Sequence, residues 1–355
     1  MQPDHAVDRS IHANWTEAIA PAWRRPLASL ALAWLAILVV TARDWMVMAD
    51  QWWNISTYNH VLLVPPIIAT LVWMRRDELA KLTPRAWWPG LVAVGGALSV
   101  WLLGTTVGVN TISQAGAIGA LQMAVLTLLG PRVAAGLLFP LAYCVFLIPF
   151  GDELVPALQM ITAEITIALT HLSGIPAEID GIFIDTPVGL FEVAEACSGV
   201  KFLIAMIALG VLVAQTCFTR WSHRAAFLAA CVIVPIVANG IRAWGTVYIA
   251  QFQGMEFAAG FDHIFYGWVF FAIVIVLVLG AAWRFFDRSP DDPAFDGATL
   301  AANASFDRIE RFAISSTAAT AIVAMLALFG VILAGVLPRT DVSLGSLVDR
   351  PTQTR

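Results

Sequence analysis

Long apolar runs constrain this chain more than any other feature. A helix of about 20 apolar residues is long enough to cross the hydrocarbon core of a bilayer. The sequence carries such runs near 26–42, 61–74, 88–108, 111–130, 132–150, 202–218, 225–250, 264–283 and 313–336. Only 13% of the residues are charged, against about a quarter in soluble domains. The sequence therefore predicts an all-α polytopic membrane protein, with about eight core transmembrane helices and one C-terminal transmembrane helix.

One further segment fits two arrangements. Residues 152–173 (DELVPALQMITAEITIALTHLS) are largely apolar but include Glu164 and several threonines. This pattern suits either an amphipathic helix that lies in the membrane interface or a partial span. We favour the interfacial amphipathic helix, because the spans then alternate in direction in such a way that the loops rich in Lys and Arg lie on the cytoplasmic side.

Basic residues indicate how the chain is oriented. Lys and Arg collect in cytoplasmic loops, and a cytoplasmic N-terminus places 14 of the 20 basic residues on that side. No basic residue lies between Arg132 and Lys201. The prediction therefore places segments 151–200 and 251–263 on the outer face. It divides the chain into a cytoplasmic N-terminal segment (1–25), a transmembrane catalytic domain (26–284), a cytoplasmic linker (285–312), and a C-terminal transmembrane helix with a short outer tail (313–355).

Cysteine is the first candidate for chemistry. The four cysteines show no CxxC spacing and no cluster with histidine, so we predict neither a metal site nor a cofactor. Cys197 differs from the others because it lies near the end of an outer segment, 175–200, whose first part is predicted to form a short hairpin, and because it precedes a span. The N-terminus of a helix stabilises a thiolate. The alternative is that Cys197 is a small residue that packs at the start of the helix.

An arginine and a histidine lie on the same predicted face of the membrane. Arg242 lies within an apolar run, three residues after Asn239, so the two share one helix face. A charge at that depth usually marks a functional site, although a snorkelling arginine is the alternative. His263 follows Asp262 and opens the next run, where a structural histidine is the alternative. A thiol, a base and a cationic donor together are what cysteine acyl transfer requires.

Three short segments, in order, resemble the exosortase/archaeosortase family, and the exosortase A type most closely. They are EACSGVK at 195–201, NGIR at 239–242 and DHIFYGWVFF at 262–271. The segment STYNHVLLVPPIIATLVWMRR at 56–76 is also similar to the early part of that family. The resemblance covers roughly residues 25–285. It implies that Cys197 is the nucleophile, that His263 is the general base and acid, and that Arg242 stabilises the transition state.

The resemblance also implies supporting residues, substrates and a location. Supporting or substrate-binding roles would fall to Asn239, Lys201, Glu195, Ser198 and Asp262. Lys201 departs from the family pattern, in which arginine is commoner, and the two are not interchangeable at bidentate sites. The implied substrates are secreted proteins with a C-terminal Pro-Glu-Pro-type motif, a transmembrane helix and a basic cluster. They would be cleaved at the periplasmic face of the bacterial inner membrane and passed to an acceptor or to water, in connection with exopolysaccharide or envelope assembly.

Two other functions remain open from the sequence. The chain is alternatively a non-enzymatic membrane component of polysaccharide export, or a permease, in which Cys197 is dispensable. An intramembrane serine protease that uses Ser198 is a weaker hypothesis, because the paired G-x-S-G pattern of such enzymes is absent. No nucleic-acid partner is predicted, since the chain has no basic patch and its pI is 5.6.

Overall fold

The computed structural model describes residues 20–254, 267–289 and 292–338. Helices dominate it. They are α1 (Pro21–Val40), α2 (Ala42–Asn54), α3 (Val64–Met74), α4 (Arg76–Leu79), α5 (Pro89–Val107), α6 (Asn110–Leu129), α7 (Pro131–Gly136), α8 (Leu138–Tyr143), α9 (Val155–Leu172), α10 (Val200–Cys217), α11 (Trp221–Gln253), α12 (Gly267–Trp283), α13 (Gly297–Ala301), α14 (Ala304–Glu310) and α15 (Ser316–Val336). Short 3₁₀ turns lie at Asn59–Leu63, Cys144–Leu147, Asp152–Leu154 and Glu195–Cys197.

The prediction of an all-α polytopic membrane protein is confirmed. Within the described residues, seven helices are long and apolar enough to cross a membrane. The pair Ala42–Asn54 and Asn59–Met74, bent by 109°, makes eight if it counts as one broken span. The run predicted at 264–283 is represented by a shorter apolar helix, Val269–Trp283.

The run at 132–150 is not a single helix, contrary to the sequence prediction. It is divided into α7, α8 and the 3₁₀ turn Cys144–Leu147. The break falls at Leu137, between Gly136 and the proline at position 140. Proline has no N–H to donate to the carbonyl of residue i−4, which here is Gly136, so the regular helix is interrupted at this point.

The chain forms two compact units, and the first contains the described residues within Met1–Ala49, Pro65–Ile148 and Phe295–Arg355. Its centre is the antiparallel pair α5 and α6, against which α1 and α15 pack. Gly104 and Gly116 allow the close approach, because a Cβ at either position would overlap backbone of the opposite helix. Asp44 of α2 accepts hydrogen bonds from Trp101 Nε1 (2.8 Å) and Ser113 Oγ (2.6 Å), so its carboxylate is joined to both α5 and α6.

The second unit contains the described residues within Asp50–Val64 and Pro149–Ala294. Helices α10, α11 and α12 form one apolar cluster, which includes a stacked pair of rings, Phe202 and Phe271, with centroids 4.5 Å apart. Helix α9 packs against α10 in a second cluster through Leu158. A three-stranded antiparallel sheet follows α9: β1 (Glu178–Asp180), β2 (Phe183–Thr186) and β3 (Gly189–Glu192). The short hairpin predicted in segment 175–200 is thus present with one additional strand.

Helix α9 packs against α11. Thr162 contacts Asn239, Thr166 reaches the carbonyl of Gly240 (3.5 Å), and Ser173 accepts from Trp244 Nε1 (3.0 Å). By length and composition, Asp152–Leu172 is one of the helices that could span a membrane. The interfacial position favoured for 152–173 stays a prediction.

Candidate active site

Cys197 ends a tight connection between the small sheet and α10. Strand β3 leads into the 3₁₀ turn Glu195–Cys197, in which Cys197 N donates to the carbonyl of Ala194 at 2.8 Å. Gly199 then adopts a left-handed conformation with φ of +81° and caps α10. This geometry places the partly exposed thiol just before the N-terminus of an 18-residue helix. The N-terminal dipole of such a helix favours negative charge beside it.

Asn239 holds the backbone of this turn. Its Nδ2 donates to the carbonyl oxygen of Cys197 at 2.8 Å and to Thr162 Oγ1 at 3.0 Å. The side chain is only 4% exposed, so these bonds form away from bulk water. Its Oδ1 is buried and has no hydrogen-bond partner among the described residues. Two segments that lie 42 residues apart in the sequence are therefore joined at the candidate nucleophile.

Gly199 is required for this contact. A Cβ added at Gly199 would lie 2.7 Å from Cγ of Asn239, closer than real Cβ contacts. The left-handed φ also disfavours a side chain at this position. The glycine of the EACSGVK segment thus serves both the turn and the close approach of α11.

Arg242 lies one helical turn beyond Asn239 on α11, and it is 6% exposed. Residues three apart share a helix face, so the guanidinium belongs to the face of α11 that carries Asn239. Between them, Gly240 lets Ile165 of α9 approach, because a Cβ there would overlap the Ile165 side chain. The structure therefore brings together the segments EACSGVK and NGIR. Arg242, which ends the second segment, is buried.

A row of buried polar residues on α9 completes the site, and the sequence analysis did not identify it. Its members are Gln159, Thr162, Thr166 and Thr170, spaced three or four residues apart on one face. Gln159 Nε2 donates to the carbonyl of Val193 at 2.7 Å, just before the Cys197 turn. The spacing is visible in the sequence, but a buried polar face and a water-facing one give the same pattern.

The other predicted site residues lie in different environments. Glu195 is exposed, whereas Ser198 is 2% exposed and its Oγ faces the backbone N–H of Val200 at 3.4 Å. Lys201 Nζ lies 5.1 Å from the centroid of the Phe202 ring, a cation–π distance. Asp262 and His263 lie outside the described residues, so the role of His263 as base stays a prediction.

The remaining cysteines are separate from this site. Cys231 is fully buried in the apolar core of the second unit. Cys217 ends α10 at the far end from Cys197, and Cys144 Sγ faces the carbonyl of Pro140 at 3.4 Å in the first unit. Only Cys197 is followed by a left-handed glycine and the start of a long helix.

A comparison with known protein families identifies the family of this chain. The model of the transmembrane exosortase family (Exosortase_EpsH) matches residues 52–280, which is more than half of the sequence. The chain belongs to this family. No curated protein and no solved structure is detectably similar to it.

The matched range of this transmembrane exosortase contains all three sequence segments. It runs from the C-terminal part of α2 to the C-terminal part of α12 and so includes Cys197, Asn239 and Arg242. Helix α15 lies beyond the match, although it packs within the first unit against α1 and α5. The match supports the family and does not distinguish the exosortase A type.

Proposed function

We propose that this transmembrane exosortase is a cysteine protease and transpeptidase in which Cys197, Arg242 and His263 form the active site. One observation carries the proposal. Asn239 of α11 donates to the carbonyl of Cys197, and Arg242 follows on the same face of that helix. The thiol and a buried cation therefore belong to a single packed arrangement. Acyl transfer by a thiol needs such a cation, because the carbonyl oxygen becomes negative in the transition state.

The proposed reaction has two steps. His263 takes the thiol proton of Cys197, and the thiolate attacks the carbonyl carbon of the scissile peptide bond. Negative charge on the carbonyl oxygen is stabilised by Arg242. The C–N bond then breaks, His263 returns the proton to the leaving amine, and a thioester of Cys197 remains. An acceptor amine or water, deprotonated by His263, attacks the thioester and releases the thiol.

The proposed substrates are membrane-anchored secreted proteins with a C-terminal sorting signal. Family membership suggests a short Pro-Glu-Pro-type motif, a transmembrane helix and a basic cluster. We place the enzyme in the bacterial inner membrane with its N-terminus in the cytoplasm, because basic residues then collect on the cytoplasmic side. The substrate's motif would then meet Cys197 at the periplasmic face, in a pathway of exopolysaccharide or envelope assembly.

The decisive experiment compares two cysteine variants. The full chain is co-expressed with a secreted protein that ends in such a signal, and the product is followed by intact mass. Cys197→Ala should abolish cleavage, while Cys217→Ala, at the other end of α10, should leave it unchanged. Cleavage by Cys197→Ala at the normal rate would contradict the proposal and favour a non-enzymatic component of polysaccharide export or a permease.

Ser198→Ala tests the serine alternative in the same assay. Ser198 is buried and faces the backbone N–H of Val200 at the start of α10, which argues against a nucleophilic role. We expect Ser198→Ala to retain cleavage. Loss of activity in Ser198→Ala, together with retention in Cys197→Ala, would support the serine mechanism instead.

A further inference from the structure

The first unit contains an apolar cleft that the proposed chemistry does not use. It has a volume of about 930 Å³ and lies among α1, α3 and α6. Its lining includes Trp23, Leu27, Trp34, Val72, Leu121 and Val125. All of its lining residues belong to the first unit, and neither Cys197 nor Arg242 is among them.

Three polar side chains of the lining donate hydrogen bonds inside the protein. Gln122 Nε2 donates to the carbonyl of Leu141 at 2.5 Å. Trp34 Nε1 donates to Leu121 O at 3.0 Å, and Trp23 Nε1 donates to Leu82 O at 3.1 Å. Most of the other lining residues are apolar, such as Leu27, Val72 and Leu121. Such a surface suits an apolar chain.

One end of the cleft is cationic. Arg76 lines it, and its guanidinium carbon lies 4.3 Å from the centroid of the Trp73 ring. Arg24 is exposed on α1 between the lining residues Ala20 and Leu27, at helical spacing that puts it on the cleft side. Asp77 lies 3.5 Å from Arg76, but both side chains are largely exposed, and such pairs are weak.

We infer that this cleft binds an anionic phospholipid, with acyl chains along Leu27, Val72 and Leu121 and the phosphate against Arg76 and Arg24. Arginine binds phosphate through paired N–H donors. Basic pockets between transmembrane helices are known to take anionic lipid headgroups on the cytoplasmic side. On the proposed orientation, Arg76 and Arg24 lie on that side.

Charge argues against a substrate helix as the occupant of this cleft. On the proposed orientation, the basic cluster of the proposed sorting signal would lie on the cytoplasmic side, where Arg76 and Arg24 would repel it. An anionic headgroup would be attracted there, so charge favours a lipid.

The test is native mass spectrometry of the purified full chain released from micelles. Phosphatidylglycerol and phosphatidylcholine with identical acyl chains compete for binding, and the ratio of retained lipids is measured. We expect a clear preference for phosphatidylglycerol. In the double variant Arg24→Gln/Arg76→Gln this preference should fall at least fivefold, since one basic residue near a membrane contributes about fivefold to the binding of anionic lipid.

The matched control is Arg284→Gln/Arg311→Gln. Both of these arginines also lie over an adjacent aromatic ring, at 5.7 and 4.7 Å, but neither lines the cleft. The control should keep the preference for phosphatidylglycerol. Equal loss in both double variants, or equal binding of the two lipids by the native chain, would overturn the inference.

Three further measurements distinguish a lipid from other occupants. Glycerophosphoglycerol, which has the headgroup without chains, should not displace phosphatidylglycerol, whereas displacement would indicate a simple phosphate site and contradict the inference. Leu121→Trp, which fills the cleft, should reduce retention of phosphatidylglycerol. A synthetic transmembrane peptide with the sorting signal should not compete. Competition by that peptide would assign the cleft to the protein substrate instead.

Discussion

The side-chain amide of Asn239 donates to the carbonyl oxygen of Cys197 across 2.8 Å, and the same nitrogen reaches Thr162 Oγ1 at 3.0 Å. Three segments of the chain thus meet at one buried amide: α9, the turn before α10, and α11. The position of the Cys197 thiol depends on this meeting, because the amide ties the backbone of the turn Glu195–Cys197 to α11. Asn239 is therefore a positioning residue for the proposed nucleophile.

Replacing Asn239 with leucine should lower substrate cleavage at least tenfold. The variant has a side chain of similar size but makes neither donation, and a buried acceptor left unpaired costs about 1–3 kcal/mol. The turn should therefore relax away from α11, and a similar free energy is then needed to return the thiol to its native position before it reacts. A change of about 1.4 kcal/mol corresponds to a factor of ten. Thr162→Val, which removes only one acceptor, should have a smaller effect. Initial cleavage rates at equal protein levels check this, and equal rates in Asn239→Leu and the native enzyme would contradict the positioning role.

Substituting Gly199 with alanine should also abolish most of the activity. A Cβ there would meet Cγ of Asn239 at 2.7 Å and would have to adopt φ of +81°. Gly174 provides a matched control, since it has φ of +76° but open space around its Cβ direction. Both variants carry the backbone cost, and only Gly199→Ala displaces Asn239. If the two variants lose cleavage activity to the same extent, backbone strain rather than the contact is responsible.

The lengths of the apolar runs were sufficient to predict the class of fold, because a bilayer imposes a minimum helix length. They were not sufficient for segment 132–150, where Gly136 and the proline at 140 interrupt a run of adequate hydropathy. They also do not decide between an interfacial helix and a span for 152–173. A threonine row such as Thr162, Thr166 and Thr170 indicates a polar face, and whether that face meets water or α11 is decided only by the tertiary fold.

Part of the candidate site could be predicted from the sequence. Cys197 and Arg242 stood out because one was a thiol outside the apolar runs and the other a charge within one. Their connection through Asn239 could not be predicted from spacing, since the hydrogen bond joins residues 42 apart. The contribution of Gln159 was missed for the same reason: its partner is a backbone carbonyl, at Val193, on another segment.

Arg242→Lys should retain less than a tenth of the native cleavage rate, and Arg242→Ala should retain less still. Lysine keeps the charge but not the planar arrangement of donors that arginine offers. Labelling of the Cys197 thiol should remain close to normal in Arg242→Lys, because Asn239 still holds the turn. This separates a direct role in the reaction from a structural one. Loss of thiol labelling in step with cleavage would indicate that the site has been distorted.

Gly116→Ala should destabilise the first unit. A Cβ at Gly116 would overlap the backbone of Trp101, and overpacking of this kind costs about 1–3 kcal/mol. Gly95, on the opposing helix α5, has nothing within 4 Å of its Cβ direction, so Gly95→Ala should be neutral or slightly stabilising. Thermal unfolding of the two variants in the same detergent measures the difference. Equal midpoints would show that α5 and α6 are less closely packed than the structure indicates.

Single-cysteine variants test the proposed orientation through the two ends of α10. The helix has 18 residues, and at 1.5 Å per residue it is about 27 Å long, close to the thickness of a hydrocarbon core. Cys197 and Cys217, both partly exposed, should therefore lie on opposite sides. A membrane-impermeant maleimide added to cells whose outer membrane is permeable to it should label the variant that keeps only Cys197. The variant that keeps only Cys217 should be labelled only after the inner membrane is opened. The reverse pattern would place the candidate site in the cytoplasm and exclude action on secreted substrates at the periplasmic face.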